Sequence, residues 1–144
     1  MRPRAVGIKR MLGWAAMKLR IRGDALRLRL SQRDLETLAQ TGEVAEAIHF
    51  GPDGAALRYV VRASEGATAL AASFDGTAIT VAMPVAQLRR LTQTDAVGVA
   101  AEQALPDGRR LSLLIEKDFR CLVPRAGEED ADGFPRPDGA GAAC

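Results

Sequence analysis

Two carboxylates, a lysine and a cysteine fall close together near the end of the chain, and these residue types can do chemistry. The candidate functional segment comprises Glu116, Lys117, Asp118, Phe119, Cys121 and Arg125. On a strand, both carboxylates would share one face and could serve as an acid–base pair or as ligands for a hard metal ion. The Cys121 thiol would be reactive if a neighbouring cation stabilised its thiolate.

The same segment also has a purely structural interpretation. Lys117 lies on the otherwise apolar row of Leu113 and Ile115, which favours a strand that ends or bulges there. A free cysteine is more often a small buried apolar side chain than a nucleophile. We favour this interpretation and assign no catalytic residue and no metal ligand.

A second chemical feature is the arginine-rich stretch of residues 18–30, where apolar and basic residues alternate. The alternation slips at Gly23-Asp24, which predicts a two-residue hairpin with Ile21 opposite Leu26. That register gathers basic side chains on one face, namely Arg20, Arg22, Arg27 and Arg29, and it places Lys18 opposite Arg29 on the same face. Directly opposed like charges reduce stability. We therefore expect this face to meet an acidic partner or a phosphate.

No motif identifies an enzyme. The glycines lie in turns, so none opens a helix as a phosphate-binding loop would require, and nucleophile-elbow, zinc-protease and paired-cysteine motifs are absent. The single histidine, His49, alternates with Ile48 and Phe50, whose side chains we expect to point inward. His49 is therefore expected to face solvent, and no motif supplies the partner that a general base needs. We predict no cofactor.

Charge is distributed unevenly along the chain. Residues 1–33 carry ten Lys and Arg against Asp24 alone, and residues 111–144 carry four basic against seven acidic residues. Residues 1–16 are basic and aperiodic, which predicts a disordered extension, and Met17 could be the true start. The domain is then 17–125, and residues 126–144 form an acidic Pro/Gly tail that could dock on the basic hairpin.

The remaining pattern predicts hairpins and two short helices. Ser31 is expected to cap a helix that ends before Gly42, and Pro84 to begin a second helix. The Asp75-Gly76 pair predicts a type I′ hairpin in which Ala72 faces Ile79. The order is ββ-α-ββ-ββ-α-ββ, without an internal repeat in the sequence. It predicts an α+β fold, with an antiparallel β-sheet meander of about seven or eight strands and two short helices.

Two cysteines and the absence of a long apolar run favour a cytoplasmic protein without a membrane span. The apolar stretch 11–17 is short and lacks a cleavage site, so a signal peptide is not expected.

Residues 18–42 resemble the strand-turn-strand-helix unit of swapped-hairpin antitoxins and transition-state regulators, although Ser31 replaces the proline usual at the strand-to-helix junction. A broader resemblance is to a family of small uncharacterised bacterial proteins, a domain of unknown function. It rests on four stretches, Met17–Leu30, Ile48–Gly51, Glu116–Leu122 and Phe134–Pro137, the last with Arg136 where the family is expected to have asparagine. It spans residues 17 to about 137. It implies no assigned activity, but it implies that the acidic tail belongs to the domain.

The sequence therefore favours a cytoplasmic, non-enzymatic binding or accessory protein with a protein partner or a second copy of itself. The first alternative is a nucleic-acid-binding, antitoxin-like regulator that uses the arginine-rich hairpin. The second alternative is a small enzyme or metal protein that uses Glu116, Asp118 and Cys121.

Overall fold

The structure is a computed structural model that describes residues 17–119. Eight strands and two helices make up these residues. The strands are β1 (Lys18–Ile21), β2 (Ala25–Leu30), β3 (Glu43–His49), β4 (Ala56–Ser64), β5 (Ala71–Phe74), β6 (Ala78–Pro84), β7 (Gly98–Ala104) and β8 (Arg110–Lys117). The helices are α1 (Gln32–Thr41), which follows β2, and α2 (Val85–Gln93), which follows β6. Neither helix, in this part of the chain, is long and apolar enough to cross a membrane.

Local signals set the first hairpin and the first helix, as predicted. Leu19 pairs with Leu28 and Ile21 with Leu26 across a turn in which Gly23 has a positive φ of 56°. The Ser31 hydroxyl accepts a hydrogen bond from the backbone N–H of Asp34, whose carboxylate accepts one from the backbone N–H of Ser31. This capping box satisfies two backbone donors that the first helical turn cannot.

The strands form two four-stranded sheets, not one meander. Sheet I has the order β1-β2-β8-β7 and sheet II the order β3-β4-β6-β5. In each sheet the two central strands run parallel and each edge strand is antiparallel to its neighbour. The prediction of an α+β fold is confirmed, but the antiparallel meander is only partly right. The helix after β2 carries the chain to the other sheet, so β2 pairs with β8 and not with β3.

One apolar cluster joins the inner faces of both sheets to the helices. Leu28 and Ile115 represent sheet I in this cluster, Val61 and Met83 represent sheet II, and all four are at most 1% exposed. The buried leucines of the two helices complete it, namely Leu35, Leu38, Leu88 and Leu91. The face of each sheet that points away from this cluster is its outer face.

The topology repeats within the chain, although the sequence shows no repeat. Residues 18–64 and 71–117 each form a hairpin, a helix and a second hairpin. The first hairpin of each half pairs with the second hairpin of the other half. The Ile21–Leu26 pair of β1–β2 thus has its topological equivalent in the Phe74–Ile79 pair of β5–β6. Each sheet therefore combines the first hairpin of one half with the second hairpin of the other. We call this relation between the halves the approximate two-fold of the fold.

The structure corrects two further expectations. Ala72 pairs with Val81, where the Asp75-Gly76 turn predicted Ile79 as its partner. A type I′ turn needs positive φ at both central residues. Only Gly76 has it, at 99°, and Asp75 instead accepts hydrogen bonds from the backbone N–H groups of Thr77 and Ala78.

Ile48 and Phe50 were expected to point inward, but they are 49% and 68% exposed. They lie at the far end of β3, beyond the core that buries Val44 near the beginning of the same strand. His49 is exposed, as predicted. The predicted extension 1–16 and acidic tail 126–144 lie outside the described residues, as do Cys121 and Arg125.

Candidate functional site

Parallel pairing of β2 with β8 joins the two features that sequence reasoning treated separately. Arg27 pairs with Leu114 and Arg29 with Glu116 across this boundary. Because side chains alternate along a strand, Arg20, Arg27, Arg29 and Glu116 all lie on the outer face of sheet I. The arginine hairpin and the Glu116–Asp118 segment therefore form one charged surface.

Glu116 holds two arginines of this surface in place. Its Oε2 atom accepts hydrogen bonds from the Nε atoms of Arg27 at 2.7 Å and Arg29 at 3.0 Å. Asp118 lies beside it, with one carboxylate oxygen 3.2 Å from the Lys18 Nζ atom and the other 3.9 Å from Nη1 of Arg29. The Glu116 and Asp118 side chains are only 17% and 14% exposed. We call these five residues the ion-pair cluster, and two carboxylates in it relieve the repulsion between opposed cations.

Gly98 leaves room for the Glu116 side chain. Gly98 of β7 pairs with Glu116. A Cβ atom at residue 98 would lie 2.9 Å from the carbonyl oxygen of Ile115 and 3.0 Å from the Cβ atom of Glu116. The first contact, with backbone, is shorter than real Cβ atoms show and the second is tighter than most, so a side chain here would displace β8 or the Glu116 side chain.

The other residues of the predicted segment have different positions. Lys117 is the last residue of β8, and its Nζ atom donates to the Thr94 carbonyl oxygen, which lies at the C-cap of α2, at 3.2 Å. A cation is favourable at this end of a helix. Phe119 is 64% exposed. The structural interpretation of Lys117 as a strand-end residue therefore agrees with its contacts.

Beside the ion-pair cluster, the outer face of sheet I carries an open groove with a volume of about 580 Å³. Arg20, Arg22 and Arg27 line one side, and Glu102 and Ser112 line the other. Its floor is apolar and is formed by Ala25, Ala100 and Leu114. The Ser112 hydroxyl donates to the Glu102 carboxylate at 2.8 Å, which fixes the acidic wall.

Arg22 is the exposed cation of this groove. Within residues 17–119 no carboxylate forms an ion pair with its guanidinium, in contrast to Arg27 and Arg29 of the cluster. The groove therefore combines a cationic rim with an apolar floor. This combination suits a ligand with both an anionic group and an apolar group.

The approximate two-fold of the fold makes the two outer faces directly comparable. In sheet I one cross-strand row reads Lys18, Arg29, Glu116 and Gly98. The equivalent row of sheet II reads Ala71, Ala82, Arg62 and Glu43. The next row of sheet I holds Arg20 and Arg27, where sheet II has Ser73 and Thr80. Equivalent backbone thus carries a dense charge cluster on one side only.

Other chemical features of the described residues are modest. Residues 17–119 contain no group of three or more His, Cys, Asp or Glu side chains arranged to hold a metal ion. Hydrogen bonds from the Thr77 and Ala78 backbone and from the Thr77 hydroxyl lower the pKa of Asp75, a fully exposed turn residue. Its carboxylate shapes the β5–β6 turn and lies on the other sheet from the ion-pair cluster.

Sequence reasoning missed three contributors to this surface. Glu102 and Ser112 face each other across the β7–β8 hairpin, which was predicted, but neither side chain was identified as part of a site. The sequence does not identify Gly98 as important, because its φ is not positive and its role depends on its contact with Glu116. Lys18 was placed on the basic face, but its partner Asp118 could be found only from the β2–β8 pairing.

The fold and the site define an α+β domain of two mixed sheets with a charged groove on one outer face. The chain belongs to a family of unknown function, DUF7009, whose family model matches residues 17–138. This confirms the expected membership of a family without an assigned activity. A search of curated proteins found no match, and neither did a search of solved structures.

Proposed function

We propose that this protein is a non-enzymatic binding domain of the bacterial cytoplasm, and that its groove on sheet I binds an acidic segment of a protein. The observation that carries the proposal is the groove itself, with the exposed Arg22 on its rim and Leu114 on its floor. An acidic peptide with an interspersed apolar side chain matches both features.

The contacts of Glu116 and Asp118 favour binding over catalysis. Glu116 accepts from two arginines through a single oxygen, and Asp118 lies against Lys18. Carboxylates held in this way organise the surrounding cations and are poorly placed to exchange protons with a substrate. The cluster thereby holds Arg27, which also lines the groove, in a defined position.

The charge pattern also favours a peptide over a nucleic acid. Glu102, Glu116 and Asp118 interrupt the cationic surface, so a phosphate backbone with a charge at every nucleotide would meet them, whereas a peptide can place neutral side chains beside them. The four strands of sheet I contain no aromatic side chain on which a base could stack. Two of the four candidate arginines, Arg27 and Arg29, already share the Glu116 carboxylate.

A fluorescence-anisotropy titration at low salt tests this proposal. The probe is a labelled peptide of several Glu and Asp residues around one phenylalanine, and single-stranded DNA of similar length is the second probe. The full chain is compared with its Arg22→Glu variant and with an Arg58→Glu control. Arg58 is exposed and lies on the outer face of sheet II, at the position equivalent to Ser112.

We expect peptide binding that weakens about tenfold in Arg22→Glu and stays within about twofold in Arg58→Glu. The titration is repeated with the acidic residues 128–132 neutralised, because this segment is predicted to compete for the basic face. Absence of peptide binding in both forms, or equal losses in the two variants, would overturn the proposal. Tighter binding of the DNA, with a steep salt dependence that Arg22→Glu reduces, would replace it with the nucleic-acid alternative.

A further inference from the structure

We infer that the groove on sheet I has an occupant within the same chain, the acidic segment of residues 128–138. In this arrangement the segment competes with an external acidic ligand and so regulates binding. The inference rests on the proposed function for its consequence, but docking of the segment can be tested separately.

The charges of the described residues locate the docking position. At one end of the outer face of sheet I, the carboxylates of Glu116 and Asp118 form ion pairs with Lys18, Arg27 and Arg29. Arg22 lines the groove end, where no carboxylate of residues 17–119 forms an ion pair with it and where Glu102 instead accepts from Ser112. A cation without an ion-pair partner among the described residues therefore lies at the groove.

The acidic segment has the composition that this groove favours. It contains Glu128, Glu129, Asp130 and Asp132, followed by the apolar Phe134 and Pro135. The carboxylates match the cationic rim, and Phe134 matches the floor formed by Ala25, Ala100 and Leu114.

The connection is long enough and begins on the correct sheet. Strand β8 passes from Ser112, at the groove, to Glu116, at the ion-pair cluster. Phe119 follows two residues after the strand ends, and eight residues lie between it and Glu128. The nine Cα-to-Cα steps from Phe119 to Glu128 span up to about 30 Å. The return from Asp118 to the level of Ser112 needs about 20 Å. The segment can therefore turn back over the outer face of β8.

The extent of the family match supports the same arrangement. The match begins at Met17, next to β1, and ends at Asp138, so it includes the acidic segment and leaves out residues 1–16 and the last six residues. The family domain thus contains both the groove and the segment. Because the two are tethered, the segment has an effective concentration in the millimolar range at the groove.

The test uses the full chain and a neutral-segment variant that combines Glu128→Gln, Glu129→Gln, Asp130→Asn and Asp132→Asn. A control variant neutralises four exposed acids elsewhere, namely Glu36, Asp53, Glu65 and Asp95. Two-dimensional NMR reports on the Arg22 Nε–H group, the Ala100 amide and the Leu114 methyl groups in the groove. Ala45 and Thr80, on the outer face of sheet II, serve as internal references.

We expect the groove signals to shift in the neutral-segment variant and in high salt, while the references and the control variant stay unchanged. The acidic probe peptide should also bind the neutral-segment variant about tenfold more tightly than the full chain. Unchanged groove signals together with equal peptide affinities would overturn the inference and leave the proposed function standing. Shifted groove signals without peptide binding in either form would support docking and overturn the proposed function instead.

Discussion

Replacing Glu116 with glutamine should destabilise the protein far more than an ordinary surface ion pair would suggest. The substitution keeps the shape of the side chain but removes the charge that holds Arg27 and Arg29. The Arg27 and Arg29 side chains are 31% and 35% exposed, so solvent screens their charges only in part. The variant also uncovers the repulsion between Arg20 and Arg27, which are directly opposed in the hairpin.

The magnitude follows from these contacts. Exposed ion pairs contribute about 0.2–1 kcal/mol, and bonds to partly buried charged groups contribute somewhat more. Two such bonds and the uncovered cross-strand repulsion, about 0.2–1 kcal/mol per opposed pair, give a loss of about 2 kcal/mol in the free energy of unfolding. For a chain of this length the loss corresponds to a decrease of about 6 °C in the melting temperature.

Urea unfolding followed by circular dichroism measures this loss, with Glu43→Gln as the matched control. Glu43 pairs with Arg62 at 3.2 Å on sheet II, but the two side chains are 42% and 54% exposed. We expect the control to lose about 0.5 kcal/mol or less, with the m-value unchanged in both variants. In 1 M salt the Glu116→Gln deficit should decrease by roughly half, because part of it is screened repulsion.

A second substitution separates the lost bonds from the repulsion. Adding Arg27→Gln to Glu116→Gln removes one of the two cations left without the carboxylate, so the double variant should recover part of the stability. Equal losses for Glu116→Gln and Glu43→Gln, or a deficit that salt does not change, would show that the ion-pair cluster is not a stability determinant.

Three further predictions concern the supports of the fold. Gly98→Ala should lower the free energy of unfolding by about 1–3 kcal/mol, because its Cβ atom would meet β8 at 2.9 Å. Gly66→Ala is the control and should change stability little, because the space around residue 66 is open. Thermal melts compare the two variants. Gln103→Leu should speed hydrogen exchange in β5, because the Gln103 amide exchanges two hydrogen bonds with the Ala72 backbone at 2.7 and 3.0 Å; unchanged exchange at β5 would contradict this role. The Asp75 pKa is lowered in the folded protein, so its stabilising effect is complete above the unfolded pKa of about 4 and disappears as pH falls through the folded value. The stability difference between the wild type and Asp75→Asn should therefore shrink from pH 5 to about pH 2 in urea titrations, and a constant difference would refute it.

The parts of the fold that were predictable from sequence depend on neighbours along the chain. The slip at Gly23-Asp24 identified the first hairpin with its correct register, and Ser31 identified the beginning of α1. The bond between Arg27 and Glu116 joins residues 89 positions apart, and a parallel pairing leaves no turn in the sequence to mark it. This is why the two halves of the candidate site were predicted as separate hypotheses.

The repeated topology was hidden for a related reason. Each half must bury one face of each hairpin, and many apolar residues meet that requirement, as Leu28 and Val81 do at equivalent positions. The outer faces are under no such common constraint, so the two halves can differ there completely. A repeat that exists in backbone topology and in inner-face polarity therefore leaves little residue identity to detect.

The same reasoning explains why the candidate function lies on sheet I. The approximate two-fold supplies two equivalent outer faces, and only one carries opposed arginines that reduce the stability of a hairpin. Glu116 and Asp118 offset this repulsion at one end and leave Arg22 exposed at the other. Arg27 belongs to both regions, because it pairs with Glu116 and also lines the groove. The ion-pair cluster therefore holds a groove wall in place before a ligand arrives, and a preorganised wall lowers the entropy loss of binding. Loss of Glu116 should for this reason weaken binding at the groove as well as the fold.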